Sequence, residues 1–143
     1  MTEEDKQLLF KDLSARLPYG VKCKVNFDDG TSDVMKLSQF PDGLGIWGFY
    51  KDGCYGRTDN FKPYLRPMSS MTEEEEDEYQ KCGFDDIAEA GEIIVPAHRI
   101  DFLNAHYIDY RGLIEKGLAL EAPKDMYIKY ELVFLSGRQI FFL

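Results

Sequence analysis

The side chains that could take part in acid–base chemistry are scattered through the second half of this chain. Four of them have the types that general acid–base catalysis uses: Asp101, His106, Asp109 and Arg111. Their spacing matches no catalytic motif, and the sequence contains no GxSxG, no GxGxxG and no phosphate-binding GxxxxGK followed by Ser or Thr. No catalytic residue is therefore predicted. A small enzyme whose site is assembled from distant positions is kept as an alternative.

The histidines and cysteines do not have the spacing of a metal site. His98 and His106 are eight residues apart, whereas a metal-binding pair on a helix needs a spacing of four. The three cysteines, Cys23, Cys54 and Cys82, lie about 30 residues apart, which fits neither a disulfide framework nor paired CxxC zinc ligands. A cysteine nucleophile also needs a histidine partner, and nothing places one nearby. We predict no metal, no cofactor and incidental or buried thiols.

The net charge of −9 is concentrated in one segment. Residues 1–67 contain ten basic and ten acidic side chains, whereas residues 73–92 contain ten acidic side chains and one basic one. Nucleic-acid backbones are usually bound by patches of lysine and arginine, so nucleic acid is not the favoured partner, and its binding through the SH3-like half is kept as an alternative. The sequence instead predicts an unidentified protein partner.

The acidic run at the start of this segment is the first candidate partner-binding surface. Its members are Glu73, Glu74, Glu75, Glu76, Asp77 and Glu78. The alternative is a solvated helix N-terminus, where the helix dipole favours negative charge. A further alternative is that these acids mimic nucleic-acid charge and so inhibit an enzyme that binds nucleic acid.

The second candidate surface is aromatic. Six aromatic residues fall within 18 positions: Trp47, Phe49, Tyr50, Tyr55, Phe61 and Tyr64. Strand alternation cannot place all of them inside one small sheet, so some must lie on the other face or under the acidic helix. Packing between two parts of the chain and a stacking platform for a base, sugar or peptide are both open interpretations. Trp47, Tyr50 and Tyr55 are the candidate partner-binding residues.

The first half of the chain must position these aromatic residues. Thr2 can cap a helix whose apolar stripe contains Leu8, Leu9, Leu13 and Leu17, together with Phe10, and Pro18 and Gly20 end it. Residues 21–27 alternate as a strand, Asp28-Asp29-Gly30 predicts a turn, and residues 31–40 return with Val34, Leu37 and Phe40 facing inward.

Short strands are predicted next at residues 46–50, 54–57 and 62–68, the last of them as an edge strand or a pinned crossing. A helix followed by a small, curved antiparallel sheet indicates an α+β fold, with an SH3-like barrel as one form of it.

The acidic run should begin a helix. Thr72 and Glu75 have the capping-box spacing, which predicts a helix over residues 73–81 that ends near Gly83. Residues 84–91 are predicted as a loop or a short helical turn, and residues 92–95 as a strand that Pro96 stops. Residues 97–107 are predicted as a helix with Ile100, Leu103 and Tyr107 on one face and Phe102 off that line.

The end of the chain is predicted to be a β-hairpin. Residues 113–120 read as one more helical turn broken at Gly117. The runs 127–135 and 139–143 are rich in β-forming residues and are separated by Ser136-Gly137. An exposed apolar final strand would be an aggregation hazard, so it must be covered by the protein itself or by a second copy. A homodimer through the C-terminal strand is therefore one interpretation.

Two motifs carry a resemblance to a known family. KPYLRPMSSMTEEE, from Lys62, and AHYIDYRGLIEKGLALEAP, from Ala105, resemble a family of small uncharacterised proteins from gut anaerobes and their phages or other mobile elements. The resemblance covers roughly the second half of the chain up to Tyr127. It implies an intracellular accessory role and no established activity or site residues.

The expectation from sequence is a single compact domain or two small lobes, residues 1–67 with the helix and the β-rich part and residues 68–143 with the acidic helix and the final strands. The chain contains no run of about 18 apolar residues that could span a membrane and no apolar N-terminal signal, so a cytoplasmic protein is expected. The favoured function is non-enzymatic: a regulatory or accessory protein that binds another protein.

Overall fold

The computed structural model describes residues 1–89, 94–127, 133–135 and 138–140. The α+β class predicted from sequence is confirmed, with an N-terminal helix, an open sheet and two further helices. The elements are α1 Glu3–Arg16, β1 Lys22–Asn26, β2 Ser32–Gln39, β3 Trp47–Lys51, β4 Cys54–Thr58, β5 Phe61–Leu65, α2 Glu73–Glu89, α3 Ile94–Ala105, β6 Leu120–Glu121, β7 Val133–Leu135 and β8 Arg138–Ile140.

The main sheet has six strands in the order β4-β3-β2-β1-β5-β6. All neighbouring strands are antiparallel except β5 and β6, which are parallel. The sheet is open, with β4 and β6 at its edges, so an SH3-like barrel is not formed in the part of the chain that the structure describes. As is common for antiparallel sheets, one face packs on the core and the other is available to solvent or to a ligand.

Helix α1 covers the inner face of the sheet. Its N-terminus is fixed by the predicted cap: Thr2 Oγ1 accepts a hydrogen bond from Asp5 N, and the Asp5 carboxylate accepts one from Thr2 N. Leu9 and Leu13 are buried in the same apolar cluster as the inward side chains of β1 and β5. Gly20 ends the following 3-10 turn with a φ of 71°, in the left-handed region that favours glycine.

The hairpin of β1 and β2 forms as predicted, but the inward residues of β2 are different. Met35 and Leu37 are buried, whereas Val34 is half-buried and Phe40 is exposed, so the predicted inward set of Val34, Leu37 and Phe40 is wrong for Val34 and Phe40. The cause is the register, which pairs the inward Cys23 with Met35. One residue of difference in register exchanges the two faces of a strand.

Residues 62–68 were predicted to form an edge strand or a pinned crossing, but strand β5 does not lie at the edge of the sheet. It lies between β1 and β6, and β6 comes from more than fifty residues further along the chain, a pairing for which the sequence gives no local signal. Beyond the last paired residues of β1 and β5, a tyrosine hydroxyl enters the ladder. Tyr127 Oη accepts a hydrogen bond from Lys22 N at 2.8 Å and donates one to Tyr64 O at 2.8 Å. The hydroxyl thus bridges the two strands where their direct pairing stops.

Helices α2 and α3 are both longer at one end than predicted. Helix α2 runs to Glu89 and does not end near Gly83, because a glycine inside a helix costs only about 1 kcal/mol relative to alanine and packing can override it. Of the predicted loop at 84–91, residues 84–89 are helical, and 90 and 91 lie outside the described residues.

Helix α3 begins at Ile94, where a strand had been predicted. Pro96 is its third residue, a position whose backbone N–H would have no helical partner in any case. The predicted strand residues 92 and 93 lie outside the described residues. The buried face of α3 carries Phe102 and Leu103, whereas Ile100 is exposed, so the predicted stripe is shifted. These two residues form a second cluster with Ile108, against which Tyr79 of α2 packs.

The final part of the chain is confirmed as a hairpin where it is described. Strands β7 and β8 pair antiparallel, with Leu135 opposite Arg138. Residues 113–117 form a turn in which Lys116 N donates to Gly112 O, as in a helix, and Gly117 breaks it with a φ of 77°, which agrees with the prediction. Only residue 120, which begins β6, departs from it. Residues 128–132 and 141–143, including the terminal Phe-Phe-Leu, lie outside the described residues. No helix within the described residues is long and apolar enough to cross a membrane.

Candidate functional site

An apolar groove lies between the N-terminal part of α1 and the loop that joins β2 to β3. Its volume is about 450 Å³. Phe10 of α1 and Leu44 of the loop stand on its sides with 48% and 86% of their surfaces exposed. Such large apolar side chains gathered at one opening are the usual sign of a surface that binds another molecule.

The floor of the groove is aromatic. Trp47 is only 6% exposed, and its ring lies 6.0 Å from that of Phe10 and 5.9 Å from that of Phe61. The structure therefore places the predicted binding residue Trp47 in the core, with its accessible edge in the groove. A partner side chain that enters the groove would contact aromatic rings on several sides.

The loop that carries Leu44 is fixed by Asp42. The Asp42 carboxylate accepts hydrogen bonds from Leu44 N at 2.8 Å and Ile46 N at 3.2 Å, and Arg57 Nη2 lies 3.1 Å from its other oxygen. These two backbone bonds, and then Arg57, hold the pKa of Asp42 below its usual value. Leu44 is thus exposed on an ordered loop, which is the arrangement of a preformed binding surface.

The groove has a charged rim. Glu3, Lys6 and Asp59 line it beside the apolar side chains. An apolar centre with a polar rim is the usual composition of a protein–protein interface.

Tyr50 and Tyr55 lie on the opposite face of the sheet. Trp47 and Phe49 point inward from β3, so alternation turns Tyr50 outward, and Tyr55 is its direct partner on β4. Their ring centroids are 5.0 Å apart, and Tyr55 is 74% exposed. The three aromatic residues predicted to bind a partner are therefore divided between two surfaces.

The six acids of the acidic run also differ in their surroundings. Glu75 is engaged inside the protein: its carboxylate pairs with both terminal nitrogens of Arg66 at 2.7 and 2.8 Å and accepts a hydrogen bond from Thr72 N. The Arg66 hydrogen bonds are the main cause that lowers the pKa of Glu75 to about 2. The other five members are exposed on the first turns of α2: Glu73, Glu74, Glu76, Asp77 and Glu78. Only these five can serve as a charged surface.

The four residues considered for catalysis do not converge. His106 stacks on Phe102, with Nδ1 2.9 Å from the Phe102 carbonyl, and the Asp109 carboxylate accepts hydrogen bonds from the backbone of Leu113 and Ile114. Asp101 is exposed on α3. These contacts stabilise turns and helix ends.

Arg111, the fourth of these residues, belongs to a different site. Its guanidinium lies 4.8 Å from the Tyr110 ring centroid and 3.2 Å from Asp12 of α1. Within the described residues, no group of three or more His, Cys, Asp or Glu could hold a metal ion. Burial raises the pKa of the Cys23 thiol, which disfavours the thiolate that a nucleophile needs.

Sequence reasoning missed Phe10 and Leu44 as surface residues. Leu44 had a usable signal, because it is a large apolar residue inside the glycine-rich turn Asp-Gly-Leu-Gly, where burial is difficult. Phe10 was assigned to the buried stripe of α1, and only the packing of the helix on the sheet shows that it lies at the margin.

Comparisons with protein-family models, with curated proteins and with solved structures each returned no match to this chain.

Proposed function

We propose that this chain is a non-enzymatic accessory protein that binds a protein partner through the groove between α1 and the β2–β3 loop. The observation that carries the proposal is Leu44, which is 86% exposed on a loop ordered by Asp42 and stands beside Phe10 and Trp47. Exposing a leucine in this way has an unfavourable hydration free energy, so the arrangement is best explained by a partner that covers it.

The partner should present an apolar side chain or a short amphipathic segment. A volume of about 450 Å³ accommodates one or two large side chains, and the aromatic floor favours aromatic or aliphatic anchors. Glu3, Lys6 and Asp59 would then contact polar groups at the margin. An apolar centre with a polar margin is the composition of a binding surface. Asp101, His106 and Asp109 lie in unrelated structural contacts, and this favours a binding protein over a small enzyme.

The exposed acids of α2 provide a second surface for the same class of function. They would steer a basic partner and set the salt dependence of binding, or compete with nucleic acid for such a partner. A cytoplasmic accessory role is also what the resemblance of the second half of the chain to proteins of gut anaerobes and their mobile elements implies.

The experiment compares capture of proteins from a lysate of the source organism by the wild type, Leu44→Asp and Phe40→Asp. Phe40 is the matched control because it is 53% exposed but does not line the groove. We expect a partner that the wild type and Phe40→Asp retain equally and that Leu44→Asp loses. Equal melting temperatures would show that both variants are folded. Capture that Leu44→Asp leaves intact would disprove a role for the groove.

A further inference from the structure

The outer face of the sheet carries lysines in directly opposed positions. The register pairs Lys22 with Lys36 across β1 and β2, and Lys24 with Lys62 across β1 and β5. All four side chains are exposed. Side chains at opposed positions have their β-carbons about 4.5–5.5 Å apart, and like charges there are destabilising. Lys22 Nζ donates a hydrogen bond to the Met126 carbonyl, but the fold alone gives no reason to collect the charges of Lys24, Lys36 and Lys62.

Among the described residues of β1–β5, no acidic side chain offsets them on this face. The outward positions of β1–β5 hold lysine, arginine, tyrosine and neutral residues, and neither aspartate nor glutamate. The outward Arg57 is paired with Asp42 of the loop, but within the described part of the chain no carboxylate lies within ion-pair distance of Lys24, Lys36 or Lys62. The overall charge of −9 resides mainly in residues 73–92 and does not describe this surface.

A depression of about 340 Å³ adjoins the lysines. Tyr50, Tyr55, Lys36 and Ser38 are among the residues that line it. Ser38 lies at an irregularity between the pairs Leu37–Phe49 and Gln39–Gly48, and its hydroxyl oxygen is buried without a hydrogen-bond partner among the described residues. Because that oxygen has no accessible surface, a ligand in the depression would contact the tyrosine rings and Lys36 instead.

We propose that this face binds single-stranded nucleic acid. A base would stack on Tyr55 in the depression, and Lys24, Lys36 and Lys62 would contact the phosphates. Exposed aromatic rings on a sheet, flanked by lysines, are the recurring means of binding single strands, because unpaired bases can reach the rings and bases in a duplex cannot.

This inference departs from the expectation drawn from the charge count and does not depend on the groove. The formal charges of residues 1–67 sum to zero, but the strand register brings Lys22, Lys24, Lys36 and Lys62 onto one face, whereas the acids lie in α1, the loops and the sheet margin. An acidic protein segment would be attracted by the same charges. The exposed Tyr50–Tyr55 pair and the depression beside it favour a flat aromatic ligand instead.

The test measures fluorescence anisotropy of labelled oligouridine and oligothymidine of about 12 nucleotides, a length within the site sizes of small single-strand-binding domains. The variant is Lys24→Gln with Lys62→Gln, and the control is Lys11→Gln with Lys116→Gln, which removes the same charge from exposed positions outside this face. At about 50 mM salt we expect the first variant to bind at least tenfold more weakly. Its log–log salt slope should be smaller by about 1.4, the sum for two phosphate contacts on a single strand.

Tyr55→Ala should weaken binding at least fivefold, because the base loses its stacking partner. The lysine variant should be as stable as the wild type or more so, since a like-charge pair is removed. Leu44→Asp should bind the oligonucleotides normally, which separates this inference from the proposed function.

Three results would overturn the inference. They are no binding of either oligonucleotide at low salt, an equal loss in the lysine variant and its control, and binding of a polyglutamate peptide in place of the oligonucleotides.

Discussion

Asp12 and Arg16 form an ion pair that is completely buried. Arg16 Nε and Nη2 lie 2.8 and 3.1 Å from the two carboxylate oxygens of Asp12, and both side chains have no exposed surface. The spacing of four places them one above the other on α1, so the helix itself aligns the pair. Arg16 Nη2 also donates to the carbonyl of Ile108 at 2.7 Å, which joins α1 to the segment after α3.

Removing the negative charge of this pair should be strongly destabilising. Asp12→Asn leaves Arg16 buried and the neighbouring Arg111 without their shared carboxylate. Breaking one partner of a buried pair costs about 3–5 kcal/mol because the other charge remains unpaired. Urea denaturation measures the loss, with the exposed Asp28→Asn as the control variant. A loss below about 1 kcal/mol would contradict this interpretation of the pair.

The Arg66–Glu75 pair should make stability depend on acidic pH. Because the pKa of Glu75 is lowered from 4.5 to about 2, the folded state holds the ionised carboxylate more strongly than the unfolded state does. The resulting stabilisation is complete above pH 4.5 and is lost as the pH falls from 4.5 to about 2. Glu75→Gln should therefore be less stable than the wild type at neutral pH, and the difference should diminish across that window.

Denaturation at several pH values measures this difference. Glu74→Gln is the control, since Glu74 is the exposed neighbour of Glu75 on the same turn. Its stability should follow that of the wild type throughout. A Glu75→Gln variant that is as stable as the wild type at neutral pH would show that Arg66 contributes nothing through Glu75.

Neutralising the end of the acidic run should separate stability from binding. In the triple variant Glu76→Gln, Asp77→Asn and Glu78→Gln, like charges that repel at a few tenths of a kcal/mol per pair are removed. Asp77 and Glu78 are also furthest from the positive end of the helix dipole. We expect unchanged or slightly higher stability, together with weaker partner binding that depends less on salt.

The matched control removes three exposed acids elsewhere: Glu115→Gln, Glu121→Gln and Asp125→Asn. It carries the same net charge as the acidic-run variant and should bind the captured partner as the wild type does. If the acidic-run variant binds at full strength and with the same salt dependence, its acids are only a solvated helix face.

Local signals in the sequence predicted the parts of the fold that depend on neighbouring residues. The caps at Thr2 and Thr72 and the turn at Asp28-Asp29-Gly30 all involve residues within three or four positions of one another. The error at Val34 concerns the register between two consecutive strands, and the error at β5 concerns pairing with a distant segment. Register and strand order are decided by which side chains the completed core can accept, and no short window contains that information.

The same distinction between local signals and strand register applies to the candidate surfaces. Tyr50 and Tyr55 were predicted because aromatic residues crowd one short stretch, and their exposure follows from alternation. The lysine face was not predicted, although the alternating sequence Val-Lys-Cys-Lys-Val already places Lys22 and Lys24 together. Lys36 and Lys62 join them only through the register of β2 and β5.

The hydroxyl of Tyr127 between Lys22 and Tyr64 imposes an order on folding during synthesis. Tyr127 follows Tyr64 by 63 residues, which a ribosome adds in about 3–13 s at roughly 5–20 residues per second. Strands β1–β4 can pair through their own hairpins during that time. The pairing of β1 and β5 lacks its bridging hydroxyl until Tyr127 emerges, and β6, at residues 120–121, arrives only shortly before. For those seconds the nascent protein presents an open strand edge, which is when a ribosome-bound chaperone would protect it.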